Sequence, residues 1–334
     1  MTVRVGINGF GRIGRCMFRI ALNRPELNVI AVNDLGDPAT LAHLLQYDSV
    51  HGNLTHNVTL QGDTLYVDEK EIKLFGYASP DQIPWKEIGV DIVVEATGKF
   101  RTYEGASKHL AAGAEKVVVS APVKGGGKTI VMGVNEDEYQ PDKHQVLSCA
   151  SCTTNCLAPL ASVLHGEFGI VSAMVSTIHS YTNDQRLLDS AHKDLRRARA
   201  AALSIVPTTT GAARTVALVA PEFKGLMDGL AFRVPTPVVS VLDFVMQLQQ
   251  PVSRDEVNRV LREASAGRLK GIVSYVEAPL VSRDIIGNHH SSIVDGLLTM
   301  SVGSLVKVVA WYDNEWGYAN RVIDLVSYIG HKGS

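Results

Sequence analysis

The sequence predicts an α/β protein: a doubly wound parallel sheet followed by an α+β domain with a mixed or antiparallel sheet. Three observations carry this. The 334 residues are long for one hydrophobic core and divide into two domains of ordinary size. In the first half, short and nearly continuous apolar runs alternate with helical stretches, the texture of a parallel sheet covered on both faces. In the second half the strands lengthen and fewer helices separate them, which suits a mixed sheet.

Taken in order, residues 3–8 (VRVGIN) and 29–34 read as strands, with a helix over 13–23 between them. Residues 55–77 alternate like an antiparallel hairpin excursion turning at Gly62-Asp63. Strands are expected over 91–96, 116–120, 129–134 and 145–148, closing the first domain near residue 150. Beyond it, 155–169 reads as a helix, 173–179 as a strand, and 231–247 as a long strand interrupted by two prolines. A strand over 305–312 and a helix over 316–329 follow. The polar, Arg-rich stretch 181–202 is long for a plain connection and is expected to be functional or covered at an interface. The domains are thus 1–150, rejoined by a C-terminal helix over 316–334, and 151–315, which carries that loop.

Composition narrows the function. At 46% hydrophobic, 20% charged and a net charge of −2, the chain shows no electrostatic footprint for nucleic acid or an acidic membrane. A strand-like pattern begins at once, leaving no room for a signal peptide, and no apolar run is long enough to span a bilayer. Four cysteines are too few for a disulfide scaffold, and a reducing cytoplasm is the expected compartment.

Gly9-Phe10-Gly11-Arg12-Ile13-Gly14 matches G-x-G-x-x-G, a weak pattern alone in a chain with 29 glycines. Here it follows a strand, opens a helix and lies inside a strand–helix–strand unit. The first glycine permits the tight turn, the second a close approach of backbone to pyrophosphate, and the third helix–strand packing. The helix N-terminus adds positive partial charge. Asp34, 20 residues beyond Gly14, is placed to accept from a ribose hydroxyl. This is the signature of a Rossmann-type nicotinamide dinucleotide site, and a carboxylate there favours NAD over the 2′-phosphate of NADP. Residues 122–129 (PVKGGGKT) end like a Walker A loop, but proline stands in place of its first glycine, and a plain turn is expected.

The stretch SCASCTTNC, residues 148–156, holds three of the four cysteines. Structural zinc usually takes four ligands, often as two C-x-x-C pairs. The only other cysteine is Cys16, and adjacent positions such as His289 and His290 usually point apart, so no metal is expected. A nucleophile suits the surroundings better. Thr153, Thr154 and Asn155 carry N-cap chemistry before an apolar periodic run, which places Cys152 at a helix mouth where the dipole favours thiolate. Cys156, one turn inside, reads as packing. A thiolate needs a basic partner. Spacing does not choose among eleven histidines, but His179 ends an apolar strand and begins the polar loop; the alternative is a structural histidine.

These residues resemble the phosphorylating glyceraldehyde-3-phosphate dehydrogenases over nearly the whole chain. The blocks are INGFGRIGR, LAHLLQYDSVHG, ASCTTNCLAP, HSYTNDQR, HKDLRRARAAA, PTTTGAA and WYDNEWGYANR. The resemblance implies reversible oxidation of glyceraldehyde 3-phosphate to 1,3-bisphosphoglycerate, with Cys152 as nucleophile and His179 as base. It implies that Thr182 and Arg233 bind the substrate phosphate. Ser151, Thr153, Arg197, Thr210 and Gly211 would hold inorganic phosphate, with Arg233 between the two anions. The cofactor contacts it implies are Asn8, Gly9, Phe10, Gly11, Arg12, Ile13, Asp34, Thr97, Gly98, Ser120, Ser190, Asn314 and Tyr318. Asn314 would fix the nicotinamide carboxamide. A homotetramer is a further family expectation. The rival on this scaffold is erythrose-4-phosphate dehydrogenase, and a redox-sensing or RNA-binding side role belongs to a different class.

Two departures from the family pattern stand out. Cys149 occupies a place where many members have Asn, creating the C-x-x-C. Either Cys149 or Cys156 would be able to resolve an oxidised Cys152 as a disulfide, against the simpler reading of a neutral substitution in a buried strand. The second departure is Ser190-Ala191 where strictly NAD-dependent relatives carry Leu-Pro, together with Gly36 after Leu35. Both resemble NADP-accepting photosynthetic members, so NADP is expected to be tolerated beside NAD.

Overall fold

The computed structural model describes residues 2–332. The chain divides into two compact units, Met1–Ile130 with Glu136–Ala150 and Ala319–Ser334, and Val131–Asn135 with Ser151–Tyr318.

The first unit contains β1 (Val3–Asn8), α1 (Arg12–Ala21), β2 (Leu27–Asn33), α2 (Pro38–Gln46), β3 (Val58–Gln61), β4 (Thr64–Val67) and β5 (Lys70–Phe75). It continues with α3 (Trp85–Ile88), β6 (Ile92–Glu95), α4 (Tyr103–Ala111), β7 (Lys116–Val119), β8 (Lys128–Thr129) and β9 (Val146–Ser148). Its nine-stranded sheet runs β3-β4-β5-β2-β1-β6-β7-β9-β8. β1 lies parallel between β2 and β6, so the winding reverses there and opens a crevice at the strands' carboxyl ends. The helices start where local chemistry dictates. Asp37 caps α2 by accepting from Thr40 N–H with Pro38 at the first position, and Thr102 caps α4.

Two details differ from the sequence expectation. The 55–77 excursion is three strands, since β5 pairs antiparallel with β4 and parallel with β2, tying the hairpin into the main sheet. The strand expected over 129–134 stops at Thr129. The Asn135 side chain accepts from Val131 N–H and Gly133 takes φ +83°, so this apolar stretch turns instead of extending. Residues 122–129 lead into β8 without a helix, with Gly125, Gly126 and Gly127 all at positive φ.

The second unit carries α5 (Cys152–Phe168), β10 (Ile170–Ser180), β11 (Val206–Thr209), α6 (Ala212–Val219), β12 (Met227–Val234) and β13 (Ser240–Leu248). After these come α7 (Arg254–Ala266), β14 (Val273–Val276), β15 (Ser292–Asp295), β16 (Met300–Val302), β17 (Leu305–Tyr312) and α8 (Trp316–Lys332), whose residues from Ala319 belong to the first unit. The mixed sheet runs β11-β12-β10-β13-β17-β15-β14, with β16 on β17. The long strand expected over 231–247 is two strands. Pro235 and Pro237 lack the N–H a ladder needs, and the halves pair on opposite sides of β10, β12 parallel and β13 antiparallel. β13 alternates strictly between buried and half-buried positions, one face against the unit's core. Among the described residues no helix is long and apolar enough to cross a membrane.

Candidate active site

In the first unit the crevice beside β1 is a cleft of about 200 Å³ whose lining includes Asn8, Gly9, Gly11, Asp34, Tyr77 and Thr97. Gly9 adopts φ +97°, and a Cβ there would stand 2.6 Å from Thr97 N. A Cβ on Gly14 would meet Gly9 O at 2.1 Å, whereas one on Gly11 would meet nothing within 4 Å. The first and third glycines are therefore forced by packing, and the second leaves open space at the helix N-terminus. Gly11 caps α1 with no side-chain hydrogen bond, so the first-turn N–H groups face outward, and a pyrophosphate fits such a site.

The remaining expected cofactor residues of this unit surround the cleft. Asp34 accepts from Phe10 N–H at 2.7 Å and Gly36 N–H at 2.8 Å, locking the turn while leaving further lone pairs for a hydroxyl. Arg12 is ion-paired to Asp48 at 2.8 Å, and half-buried Ile13 follows it in α1. Gly98 sits at φ +70°, and Asn8, Thr97 and Ser120 all hydrogen-bond Glu95.

In the second unit, Cys152 is the first residue of α5 and Ser151 is its N-cap, accepting from Thr154 N–H at 3.2 Å. The cap thus lies one residue before the cysteine, not at Thr153–Asn155 as the sequence suggested. Ala150, just before it, takes φ +55°, a strained value for alanine that redirects the chain into the helix. Cys152 Sγ lies 3.5 Å from His179 Nε2. The parallel register of β10 and β12 sets Arg233 directly beside His179. Arg233 Nη1 lies 2.9 Å from His179 Nδ1 and donates to Ser180 O at 3.0 Å, with Thr182 Oγ1 at 3.5 Å. Nδ1 itself is 2.7 Å from Ser180 O. Nδ1 thus faces both a carbonyl and a guanidinium that can only donate. When Arg233 spends its Nη1 hydrogens on Ser180 O and Thr182 Oγ1, Nδ1 keeps its own proton on the carbonyl and the Nε2 lone pair faces the thiol.

Electrostatics here correct a sequence expectation. Burial pushes the Cys152 thiol up, and the opposing pull of Arg233 and the Thr153 hydrogen bond does not overcome it. Burial, reinforced by Arg233, pushes His179 down to about 3. Burial therefore works against charge on both partners, opposing the ion pair that helix dipole and histidine alone would favour. Arg233 is itself lowered by burial and by neighbouring Arg197, and its Nε is buried without a hydrogen-bond partner. A guanidinium left unmatched in this way is a ready receptor for an anion.

Arg197 is held from the other side by Asp184 and by Thr208 at 2.9 Å. Thr153 Oγ1 bonds Tyr312 OH at 2.9 Å, Thr210 Oγ1 accepts from Ala212 N–H, and Gly211 is the N-cap of α6. Ser190 is exposed in the 181–202 loop, its N–H on Ala198 O, and Tyr318 is buried in α8. Asn314 Oδ1 accepts from Ser180 Oγ at 2.9 Å and Ser240 Oγ at 3.1 Å, which fixes the orientation of its amide.

Several partners escaped the sequence reading. Tyr312 is fully buried, its hydroxyl bridging Thr153 and Thr177 and its ring edge-on to His179. Ser180 and Ser240 orient Asn314, and Asp184 anchors Arg197. No local spacing marks them. Cys156 is buried, receives Ser292 Oγ–H on both its carbonyl and its sulfur, and is pushed by burial up to about 12, which suits packing better than thiol exchange. Cys149 is fully buried just after β9, its N–H on Val119 O, and none of the four cysteines is in a disulfide.

A dinucleotide-type glycine turn in one unit and a thiol beside an imidazole in the other fit the class of the oxidoreductases. Comparison with known proteins narrows that class. Residues 3–103 match the glyceraldehyde 3-phosphate dehydrogenase NAD binding domain, and residues 151–314 the C-terminal domain of the same family. The chain is 61% identical to a glyceraldehyde-3-phosphate dehydrogenase of Geobacillus stearothermophilus and 58% identical to glyceraldehyde-3-phosphate dehydrogenase 1 of Bacillus subtilis (strain 168), each over the full length of both chains. It is also 54% identical to glyceraldehyde-3-phosphate dehydrogenase 2 of Nostoc sp. (strain PCC 7120), over 99% of both chains. The chain belongs to the glyceraldehyde 3-phosphate dehydrogenase family.

Proposed function

We propose that the protein oxidises glyceraldehyde 3-phosphate reversibly to 1,3-bisphosphoglycerate, using inorganic phosphate, as a step of glycolysis or gluconeogenesis. The observation that carries this reading is the 3.5 Å approach of Cys152 Sγ to His179 Nε2 beside the Arg233 guanidinium, whose Nε is buried without a hydrogen-bond partner. NAD, held by Gly9, Gly11, Asp34 and the N-terminus of α1, supplies the hydride acceptor.

Cys152 Sγ adds to the aldehyde carbon while His179 Nε2 takes the thiol proton and returns it to the new oxygen, giving a hemithioacetal. His179 then removes that hydroxyl proton, the carbonyl re-forms as hydride leaves, and a thioester remains on Cys152. Phosphate oxygen attacks the thioester carbon and the sulfur departs, regaining a proton from His179. The oxidation energy stays in the acyl phosphate. Throughout, the Ser180 carbonyl holds the Nδ1 proton and so keeps Nε2 available for each transfer.

Arg233 and Thr182 take the substrate phosphate, and Arg197, Thr210, Gly211, Ser151 and Thr153 the attacking one. Asn314 holds the carboxamide, beside Tyr318. NADP is accepted beside NAD. Exposed Ser190 supports this, as does the engagement of both Asp34 oxygens by backbone N–H groups, which tempers their repulsion of a 2′-phosphate. A homotetramer is supported by Leu187, Leu188, Leu195 and Leu203, all more than 70% exposed along one loop segment that a neighbouring subunit would cover. Four thiols without a disulfide suit a reducing cytoplasm.

The test is Cys152→Ser assayed with NAD, phosphate and either glyceraldehyde 3-phosphate or erythrose 4-phosphate. Turnover should fall by roughly four orders of magnitude or more. Retained turnover would overturn covalent catalysis, and a wild-type preference for the four-carbon aldehyde, independent of phosphate, would overturn the substrate assignment.

A further inference from the structure

Glu95 ends β6 with its carboxylate buried, and no step of the proposed chemistry uses it. Its oxygens are filled by donors from three segments. Oε1 accepts from Thr97 N–H at 2.7 Å and Thr97 Oγ1 at 2.5 Å. Oε2 accepts from Asn8 Nδ2 at 2.5 Å and from His109 Nε2 at 3.2 Å. The backbone carbonyl of the same residue accepts from Ser120 N–H at 2.9 Å and Ser120 Oγ at 3.1 Å.

The direction of each bond follows from chemistry. Trp85 Nε1–H can only donate, and it lies 2.9 Å from His109 Nδ1, so the histidine carries its proton on Nε2, facing Glu95. On the other side, Asn8 Oδ1 accepts from Asn33 Nδ2 at 2.8 Å, and Asn33 Oδ1 from Tyr77 N–H at 2.8 Å. A buried polar chain therefore passes from Trp85 through His109, Glu95, Asn8 and Asn33 to the backbone of Tyr77. Its near ends, Asn8, Asn33, Tyr77 and Thr97, line the cleft. Gly9 packs so closely on Thr97 that moving one wall moves the glycine turn.

We infer that Glu95 is the positioning residue of the dinucleotide cleft: by gripping Asn8, Thr97 and His109 at once, its carboxylate sets the spacing of the walls before any ligand arrives. A site whose walls are already ordered loses less freedom on binding, so this grip appears as affinity. The inference rests on reading the cleft as the dinucleotide site.

Glu95→Gln preserves size but places an NH₂ against donors on one side or the other, leaving a buried donor unmatched. Calorimetric titration of the full chain should show NAD bound about tenfold more weakly or worse, with KM for NAD rising in step and kcat at saturation held within about twofold. Amide exchange at Gly9 and Thr97 should quicken in the ligand-free protein, while alkylation of Cys152 in the second unit keeps its wild-type rate. Unchanged NAD affinity in folded Glu95→Gln, even with a lowered Tm, would overturn the inference. If that variant does not fold, His109→Leu, which removes a donor to the same carboxylate from a residue outside the cleft lining, decides: about threefold weaker NAD binding supports the grip, and none refutes it. Wild-type protein that binds no NAD in the same titration would instead overturn the reading of the cleft itself.

Discussion

The glycine turn of the first unit and the thiol site of the second meet their ligands with different parts of the chain. The turn uses contiguous residues and mostly backbone, with Gly9 and Gly14 packed against main-chain atoms and Asp34 closing the loop through two N–H groups. The thiol site is assembled from side chains far apart in sequence. Cys152 and His179 are 27 positions apart, His179 and Arg233 54, and Thr177 and Tyr312 135. A site made of backbone is set by what a residue lacks, a site made of side chains by what strand register brings together. The two should therefore fail in different ways.

The largest effect is expected where backbone meets backbone. Gly14→Ala sets a methyl 2.1 Å from Gly9 O, a main-chain atom with no rotamer to yield. Stability should fall by about 1–3 kcal/mol, as in other overpacked cores. NAD affinity should drop by roughly a hundredfold, more than a single lost hydrogen bond would cause. Gly11→Ala, whose methyl meets nothing within 4 Å, should leave the fold intact. Comparable unfolding midpoints and NAD affinities for the two variants would break the backbone account.

Arg233→Gln probes the side-chain site and should act through charge. Arg233 opposes the burial that raises the Cys152 thiol, and it adds to the burial that lowers His179 to about 3. Without the cation the thiolate loses its main electrostatic support, so the Cys152 pKa rises further, while the imidazolium loses a repulsive neighbour and its pKa rises too. The pH profile of iodoacetamide alkylation should therefore move to higher pH. At neutral pH the reaction should slow by about tenfold for every pH unit the profile moves. A profile displaced to lower pH would show that Arg233 is not the group that favours thiolate.

The same contrast decides how much was legible in the sequence. The strands at 3–8 and 305–312 stand where continuous or alternating apolar runs place them, and the glycine spacing marks the turn because its constraint is local. Apolar runs fail where a side chain or an imino acid takes over the backbone. Asn135 turns 131–135 back on itself, and Pro235 and Pro237 split 231–247 into strands that do not even pair with each other. The Thr-Thr-Asn run at 153–155 drew attention from Ser151, the residue whose side chain does cap α5. Tyr312, Ser180, Ser240 and Glu95 carry no spacing signal, because their partners reach them only through sheet register and burial.

A smaller effect tests whether the first site is as local as it looks. Asp48, well outside the glycine run, accepts from Val50 N–H at 2.8 Å and His51 N–H at 2.9 Å, and pairs with Arg12 at 2.8 Å. Burial would raise its carboxyl, but the His51 and Val50 N–H groups and the Arg12 guanidinium together hold it below the ordinary 3.8. A depressed carboxylate contributes stability that is fully present above its unfolded pKa and disappears as pH falls through the folded one. Asp48→Asn keeps an acceptor for the two N–H groups and loses only the charged bond, so at pH 7 it should cost about 1–2 kcal/mol by urea unfolding. The gap between wild type and variant should close below pH 3.8, where wild-type Asp48 also becomes neutral. If the cleft is built by local backbone and the Glu95 grip, NAD affinity should stay within about twofold throughout. A loss as large as that of Gly14→Ala would show that a distant ion pair shapes the turn, and the division between the two sites would have to be redrawn.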